Sequence, residues 1–319
     1  MKAVIALVIF AFVSSALAAP TVVVSGAGHV SVFELNDGQT PRLSLIQSFA
    51  PEGGAGGNGW SPDKSLLYLD TQLDGEPAIA TFRVLEDGKI EQVAIARSTH
   101  SCGYLRAHPS GMFLAGNQYK DGKVMTWAVD EKGIFRGELV RAFDLEKCAH
   151  SAVFSKDGRY LFVPATKPNK IFQLKFNSET GDVIPNQPSS SPGSRSETDS
   201  RNPRHLVFHP KLPVAYSTNE NQLPGVGVWS FDSERGLLEN VQNLLSIEGD
   251  PEGQSTADLH LSPNGKFLYV SNRDGKNKKA PVGRDALALF AVDSESGKLT
   301  FKKRIACQRI PRSFNIGPL

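Results

Sequence analysis

One hairpin pattern recurs along this chain, and its spacing constrains the fold more than any other feature. Five segments share a plan of apolar run, turn and apolar run: NGWSPDKSLLYL (58–69), YLRAHPSGMFLAG (104–116), HSAVFSKDGRYLFV (150–163), RHLVFHPKLPVAYS (204–217) and DLHLSPNGKFLYVS (258–271). The aligned turn positions are Pro62, Pro109, Lys156, Pro210, Pro263 and, as a sixth candidate, Pro318. Successive turns are 47 to 55 residues apart. Repeats of about 40 to 50 residues that consist of strands are typical of propeller blades.

Further alternating runs follow each hairpin and complete a four-stranded unit. Four of them occupy residues 123–140, 170–184, 226–245 and 286–305. Each run has two β-rich stretches separated by a polar turn. The predicted fold class is therefore all-β, a β-propeller of four-stranded antiparallel blades. Its inner strands are expected to begin near residues 57, 103, 150, 204, 258 and 312.

The two ends of the chain do not form complete repeats. Residues 21–47 resemble the second, third and fourth strands of a blade that lacks its first strand. The last repeat stops after one strand, PRSFNIGPL (311–319). Either this strand closes a six-bladed ring, or the chain lacks roughly one repeat of about 40 to 50 residues.

Composition supports a globular protein and gives no sign of a nucleic-acid partner. Hydrophobic residues make up 40% of the chain, and 29 glycines and 20 prolines supply many turns. The 35 basic and 33 acidic residues nearly cancel, which leaves a net charge of +2 with no long run of either sign. The sequence does not indicate an oligomeric state.

The first residues have the pattern of a signal peptide. Lys2 precedes an apolar stretch from Ala3 to Val13, and Ala16-Leu17-Ala18 fits a cleavage site. A membrane anchor needs about 20 apolar residues, and Ser14 interrupts this run earlier. We therefore expect a signal peptide at 1–18, one propeller domain at 19–319, no membrane partner, and a secreted protein (periplasmic in a bacterium).

The cysteines and histidines give little support for a metal or another cofactor. The three cysteines, Cys102, Cys148 and Cys307, form no Cys-x-x-Cys pair and are expected to be small buried apolar residues. A Cys102–Cys148 disulfide is an alternative in an oxidising compartment. His205 and His209 would lie roughly 13 Å apart on a strand, too far for one metal ion. No cofactor is expected.

Several motifs resemble the seven-bladed β-propeller lactonase family over essentially the whole mature chain. They are the hairpin turns, SETGDV (178–183), SESGKLT (294–300), NPRHLVFHP (202–210) and STNE (217–220). The family includes propeller-type 6-phosphogluconolactonases and fungal 3-carboxy-cis,cis-muconate lactonising enzymes. The resemblance implies a seven-bladed design whose C-terminal part is missing from this chain. It also implies active-site roles for His150, Arg204, Glu220 and Arg273.

The repeat provides a geometric reason for these four residues to meet. His150 and Arg204 each lie six residues before a turn position, and Glu220 and Arg273 each lie ten residues after one. The start of the first strand and the end of the second are at the same end of a hairpin. All four side chains are therefore expected at one mouth of the central channel. The alternative is that they form structural ion pairs between blades.

These residue types suit acid–base chemistry on an anionic substrate. Arg204 and Arg273 could bind a carboxylate or phosphate and stabilise an oxyanion. His150 is expected to transfer the proton with Glu220 as its partner, although the roles could be reversed. Arg312 shares the register of His150, and His100 and Tyr119 fall near the same mouth, so these three are further candidates for substrate binding.

Three functions remain open from the sequence. The first is hydrolysis of a small-molecule lactone of an anionic or sugar type, with water as the nucleophile. The second is muconate-type cyclisation, and the third is non-catalytic binding by a secreted propeller. The absence of a Gly-x-Ser-x-Gly motif argues against a covalent serine mechanism.

Two glycine- or proline-rich segments have competing interpretations. GGAGGNG (53–59) resembles a phosphate-binding loop, but a strand pattern follows it, so a close-packed turn into an inner strand is favoured. PNQPSSSPGSRSETDSRNP (185–203) is polar and rich in turn-formers. It is expected to form a long loop beside Arg204.

Overall fold

The computed structural model describes residues 21–26, 28–36, 41–194, 201–221, 223–247, 249, 252–274 and 284–317. The predicted signal peptide lies outside these ranges. Within them the chain forms six antiparallel sheets whose strands follow one another in sequence. The first sheet contains β1 (Thr21–Gly26), β2 (His29–Asn36) and β3 (Arg42–Phe49). The second contains β4 (Asn58–Trp60), β5 (Leu66–Leu73), β6 (Glu76–Val84) and β7 (Ile90–Arg97).

The remaining four sheets have the same four-stranded plan. The third contains β8 (Tyr104–Ala107), β9 (Phe113–Gln118), β10 (Lys123–Val129) and β11 (Phe135–Asp144). The fourth contains β12 (Val153–Phe154), β13 (Tyr160–Ala165), β14 (Lys170–Phe176) and β15 (Val183–Pro192). The fifth contains β16 (Pro203–Phe208), β17 (Val214–Asn219), β18 (Gly225–Asp232) and β19 (Leu237–Leu245). The sixth contains β20 (Ser255–Leu261), β21 (Phe267–Arg273), β22 (Ala286–Val292) and β23 (Leu299–Ala306).

This arrangement confirms the predicted propeller of antiparallel blades. Strands β4, β8, β12, β16 and β20 are the first strands of their sheets and begin within three residues of their expected positions. First strands of neighbouring blades contact one another, as β4 does with β8 and β16 with β20. The hairpin starts are thereby gathered around the channel. No helix in the described part of the chain is both long and apolar enough to span a bilayer.

The incomplete first blade agrees with the sequence, but the expectation of an inner strand beginning near residue 312 was wrong for the described residues. The first sheet has only three strands. Residues 311–317 form no strand, and Ser313 and Phe314 donate hydrogen bonds to Asp258 in β20. The pairing of 312–318 with 21–26, which closure of a six-bladed ring by this segment requires, is therefore not formed among the described residues.

Apolar faces of adjacent blades pack against each other and form the core. The second and third sheets bury Tyr68 and Ile79 against Trp127 and Phe135. The other blade interfaces contain clusters of the same kind, which combine β-branched and aromatic side chains. The alternating strand patterns of the sequence therefore correspond to blade faces that are covered by the next blade.

Tyrosine hydroxyls add polar contacts between blades. Tyr68 donates to the carbonyl of Gly133 at 2.7 Å, and Tyr216 donates to the carbonyl of Gly297 at 2.8 Å. In each pair the tyrosine lies on the second strand of one blade, and the carbonyl lies in the last hairpin turn of the next. These bonds fix the position of one blade against its neighbour.

We predict that Tyr216→Phe lowers the free energy of unfolding by about 1 to 2 kcal/mol, because it leaves the Gly297 carbonyl without its buried donor. Urea denaturation measures this loss. Tyr269→Phe is the matched control, because the Tyr269 hydroxyl makes no hydrogen bond within the described residues and Tyr269 is only half-buried. Equal losses in the two variants would contradict the assigned role of the hydroxyl.

The glycine-rich segment is a close-packed turn, as predicted. A Cβ atom on Gly57 would lie 2.7 Å from the Cys102 carbonyl oxygen, and one on Gly59 would lie 2.5 Å from the Leu105 carbonyl oxygen. The segment leads into β4 rather than into a helix. Glycine is needed here because the backbones of two blades approach too closely for any side chain.

The prediction of a long loop at 185–203 was wrong for the described residues. Residues 185–192 lie in β15 instead of a long loop, and 195–200 lie outside the described residues. Strand β15 is the edge strand of its sheet, where prolines do not interrupt a hydrogen-bonded ladder.

The cysteines differ in part from the expectation. All three are free, so the alternative disulfide is not formed, and only Cys102 is buried as expected.

A buried carboxyl group between the second and third blades makes stability depend on pH. The Asp70 side chain accepts a hydrogen bond of 2.7 Å from the Cys102 backbone, and burial raises its pKa to about 7. The pKa of an aspartate in the unfolded chain is about 4. Between about pH 4 and pH 7 the folded state therefore keeps the proton on Asp70, whereas the unfolded state has released it. Stability therefore falls as pH rises through this window.

We predict that Asp70→Asn removes this loss, because asparagine keeps the acceptor oxygen and has no charge to bury. Between pH 4.5 and 8 the wild type should lose about 3 kcal/mol relative to the variant. Urea denaturation at a series of pH values measures the difference. Parallel pH profiles for the two proteins would show that Asp70 has an ordinary pKa.

Candidate functional site

The four predicted residues sit at corresponding ends of three blades. His150 precedes β12, Arg204 lies in β16, Glu220 follows β17, and Arg273 ends β21. The backbone N–H of His150 donates to the Pro164 carbonyl at 2.8 Å, which fixes the start of its hairpin. The same repeat geometry that forms the blades therefore delivers all four backbones to one mouth of the channel.

Glu220 holds two arginines. Its Oε1 accepts a 2.8 Å hydrogen bond from Arg273 and lies 3.3 Å from Nε of Arg204. Arg273 also donates to the Thr256 carbonyl at 2.7 Å. The side chains of Arg204 and Arg273 are only 2% and 8% exposed, whereas that of Glu220 is 16% exposed. The three form an interblade ion-pair triad.

The electrostatics of Arg204 reflect this burial. Burial, together with the smaller effects of the Arg273 and Arg312 charges, lowers its pKa to about 9 against the opposing effect of Glu220. Nη1 of Arg204 donates to the Ala257 carbonyl at 2.6 Å. A buried guanidinium with both a carboxylate and a carbonyl partner remains charged at neutral pH and makes the mouth positive.

His150 lies beside this triad. The residue is half-buried, and its ring centroid lies 5.2 Å from those of Tyr119 and His205. Burial lowers its pKa well below the usual value, and the charges of Arg204 and His205 lower it further. The imidazole is therefore neutral at pH 7. Nδ1 is buried without a hydrogen-bond partner in the described part of the chain.

Arg312 and Tyr119 belong to the same mouth. Arg312 is half-buried, and burial and the charge of Arg273 lower its pKa while Glu220 opposes them. Tyr119 is 44% exposed, and burial and a hydrogen bond with Cys148 raise its pKa. These two side chains and His150 are more exposed than the two arginines of the triad.

Within the described part of the chain, His100 makes no ring contact or side-chain hydrogen bond with the four predicted residues. Its contacts are local, because its carbonyl accepts from the Ser98 hydroxyl at 3.2 Å and its Nδ1 is buried without a partner in the described ranges. These local contacts do not support a role for His100 in lining the site, and that role stays a prediction.

Sequence reasoning missed His205 and Asp258. Nδ1 of His205 lies 2.9 Å from the Asp258 carboxylate, and Nε2 lies 3.0 Å from Nη1 of Arg204. His205 was considered only as a metal partner of His209, which instead bonds to the Gly265 carbonyl at 3.1 Å. A signal was present, because His205 and Asp258 each lie five residues before a turn position. That shared register places them on neighbouring first strands.

The cluster can bind an anion and remove a proton from a neutral donor. Three guanidinium groups outnumber the two carboxylates, Glu220 and Asp258, so the mouth carries a positive excess. A neutral imidazole beside them is able to act as a base. Within the described residues, no group of three or more His, Cys, Asp or Glu side chains is arranged to hold a metal ion.

Comparisons with known proteins show similarity over most of the chain. A family model described as "Lactonase, 7-bladed beta-propeller" matches residues 16–319. A 6-phosphogluconolactonase of Pectobacterium carotovorum is 28% identical over 290 residues, which cover 90% of this chain and 81% of that protein. A 6-phosphogluconolactonase of Erwinia tasmaniensis is 28% identical over 263 residues, or 80% of this chain and 72% of that one.

A solved structure shows the same fold. The periplasmic gluconolactonase of Pseudomonas aeruginosa superposes with a TM-score of 0.73 at 21% sequence identity. The superposition covers 94% of this chain and 82% of that one.

Proposed function

This chain belongs to the seven-bladed β-propeller lactonase family, and on that premise we propose that it hydrolyses an anionic or sugar lactone at the mouth formed by His150, Arg204, Glu220, Arg273 and Arg312. The observation that carries the proposal is a neutral, half-buried imidazole beside three guanidinium groups. Curated relatives with the names of lactone hydrolases favour hydrolysis over cyclisation.

His150 acts as the general base in this proposal. It takes a proton from water, whose oxygen attacks the lactone carbonyl carbon. Collapse of the tetrahedral intermediate breaks the ring C–O bond, and the leaving alkoxide takes a proton back. The depressed pKa keeps His150 in its basic form at neutral pH, and general-base catalysis of this kind contributes about 10²- to 10⁴-fold.

The arginines bind the negative charges. Arg312 is the most exposed of the three and is assigned to an anionic substituent of the substrate. Arg204 and Arg273 lie deeper and stabilise the oxyanion that develops during attack. Glu220 keeps these two guanidinium groups in place, because its Oε1 contacts both. Tyr119, stacked edge-on against His150, forms part of the substrate wall.

Export is a second part of the proposal. The sequence MKAVIALVIFAFVSSALA at residues 1–18 supports passage across a membrane. A secreted or periplasmic lactonase would meet lactones that lack a phosphate, so glucono-lactones and carboxylated lactones are the first substrates to try.

A panel of lactones tests the proposal. Initial rates should be measured for glucono-1,5-lactone, its 6-phosphate, a carboxylated lactone, and a neutral aliphatic lactone as the control. We expect hydrolysis above the uncatalysed rate and the highest kcat/KM for an anionic member of the panel. Cyclisation of 3-carboxy-cis,cis-muconate without lactone hydrolysis would show that the chain is a lactonising enzyme and would overturn the proposed hydrolysis. If none of the compounds is turned over, the proposed hydrolysis is wrong, and non-catalytic binding is the alternative that remains.

A further inference from the structure

We infer that Asp258 is a positioning residue, which holds His205 in a single tautomer against Arg204 and holds the segment that carries Arg312. One buried carboxylate would thus fix the positions of Arg204 and Arg312, two of the three guanidinium groups at the mouth. Its side chain is 9% exposed, and it lies on β20, the first strand of the sixth blade.

The first part of the argument is the hydrogen-bond pattern of His205. Arginine can only donate, so Nε2 of His205, 3.0 Å from Nη1 of Arg204, must accept. The single proton of a neutral imidazole is then on Nδ1, where it is donated to Oδ1 of Asp258 at 2.9 Å. The opposite tautomer would direct a proton at the guanidinium. Asp258 therefore selects the form of His205 that can hold Arg204.

The second part concerns the segment that follows β23. The Ser313 hydroxyl donates to Oδ2 of Asp258 at 2.7 Å, and the Phe314 N–H donates to the same oxygen at 3.3 Å. The Phe314 ring packs edge-on against His260 at 4.9 Å. Because Arg312 immediately precedes these anchored residues, its position depends on the same carboxylate.

The carboxylate is suited to this double role because it stays ionised. Burial raises the pKa of Asp258, but the charge of His260 and the hydrogen bonds from His205 and His260 outweigh this effect and hold the pKa well below its usual value. A carboxylate has two acceptor oxygens. Here Oδ1 accepts from His205 and from the Leu259 N–H at 3.0 Å, whereas Oδ2 accepts from the segment and lies 3.2 Å from Nε2 of His260. Asparagine has one acceptor oxygen and can serve only one of these two sets of donors.

The tautomer can be tested without any activity. The experiment is ¹⁵N NMR of the full chain with labelled histidine, with the His205 signals identified by their loss in His205→Gln. We expect His205 to be neutral with its proton on Nδ1. A proton on Nε2, or an imidazolium at pH 7, would overturn the inference.

Variants test the two parts separately. Asp258→Asn should either change the His205 tautomer or accelerate hydrogen exchange at the Phe314 amide, and Ser313→Ala should accelerate that exchange and leave the tautomer unchanged. Asp70→Asn is the matched control, since it also removes a buried carboxylate but lies between other blades. Should Asp258→Asn change neither readout, the assigned role would be wrong.

The activity part rests on the proposed function. If the chain is a lactonase, Asp258→Asn should lower kcat/KM about 10- to 100-fold, and Asp70→Asn should leave it unchanged. An active, folded Asp258→Asn protein with wild-type kcat/KM would overturn the inference. A wild type without lactonase activity would overturn the proposed function instead, and the NMR and exchange results would still decide the role of Asp258.

Discussion

Replacing His150 with glutamine is expected to lower kcat for lactone hydrolysis by about 10²- to 10⁴-fold. Glutamine preserves much of the size and polarity of the side chain but cannot accept a proton from water. KM should change little, because the arginines that bind the anion remain. Steady-state rates of lactone opening measure both constants.

A pH profile sharpens this prediction. The pKa of His150 lies well below its usual value, so the base form persists into acid. The wild-type kcat/KM should therefore stay level from pH 8 downward through the ordinary histidine pKa of about 6.5 and fall only well below it. His209→Gln is the matched control and should keep wild-type kcat, because His209 lies in the turn between β16 and β17 at the opposite end of its blade. If His150→Gln retains wild-type kcat, another group is the base.

Arg204→Met has the second largest expected effect, and it acts on both stability and turnover. The side chain is 2% exposed and bonds to the Ala257 carbonyl and His205, with Glu220 beside it. Removing one member of a buried charged network costs about 3 to 5 kcal/mol. Loss of a positive group beside the developing oxyanion should cost a further 10²- to 10³-fold in kcat, about the effect of one oxyanion-hole donor.

Urea denaturation and rates measured below the unfolding transition separate the two effects. Arg204→Lys keeps the charge but not the planar fork of donors, so it should fall between wild type and Arg204→Met. Arg141→Met is the control, because Arg141 pairs with Asp182 at the surface, and both properties should remain at wild-type values. If Arg204→Met resembles this control, Arg204 is neither a structural nor a functional member of the site.

The repeat made much of the fold predictable. Turn residues such as Pro109 and Pro263 recur at blade spacing, and the strand alternation around them is set by burial between blades, which is a local pattern in the sequence. The positions of Glu220 and Arg273 followed from the same repeat. A side chain at a fixed offset from a turn reaches the same end of every blade.

The offset of a residue from its hairpin turn could not show how deeply its side chain is buried. Arg204 was expected to bind the substrate, yet it is buried between blades. The next residue, His205, packs edge-on against His150 and Tyr104. Which face of a first strand turns to the channel depends on contacts with neighbouring blades. The same reason hid Asp258, whose partners come from β16 and from residues 313–314.

The most direct test of this account is the rate at which the purified chain releases protons from glucono-1,5-lactone and from its 6-phosphate at constant pH. One proton is released for each lactone opened near neutral pH. The account predicts a rate above the uncatalysed one for at least one of these lactones, proportional to protein concentration and lost in His150→Gln. Rates equal to the uncatalysed reaction, or equal in wild type and His150→Gln, would contradict it.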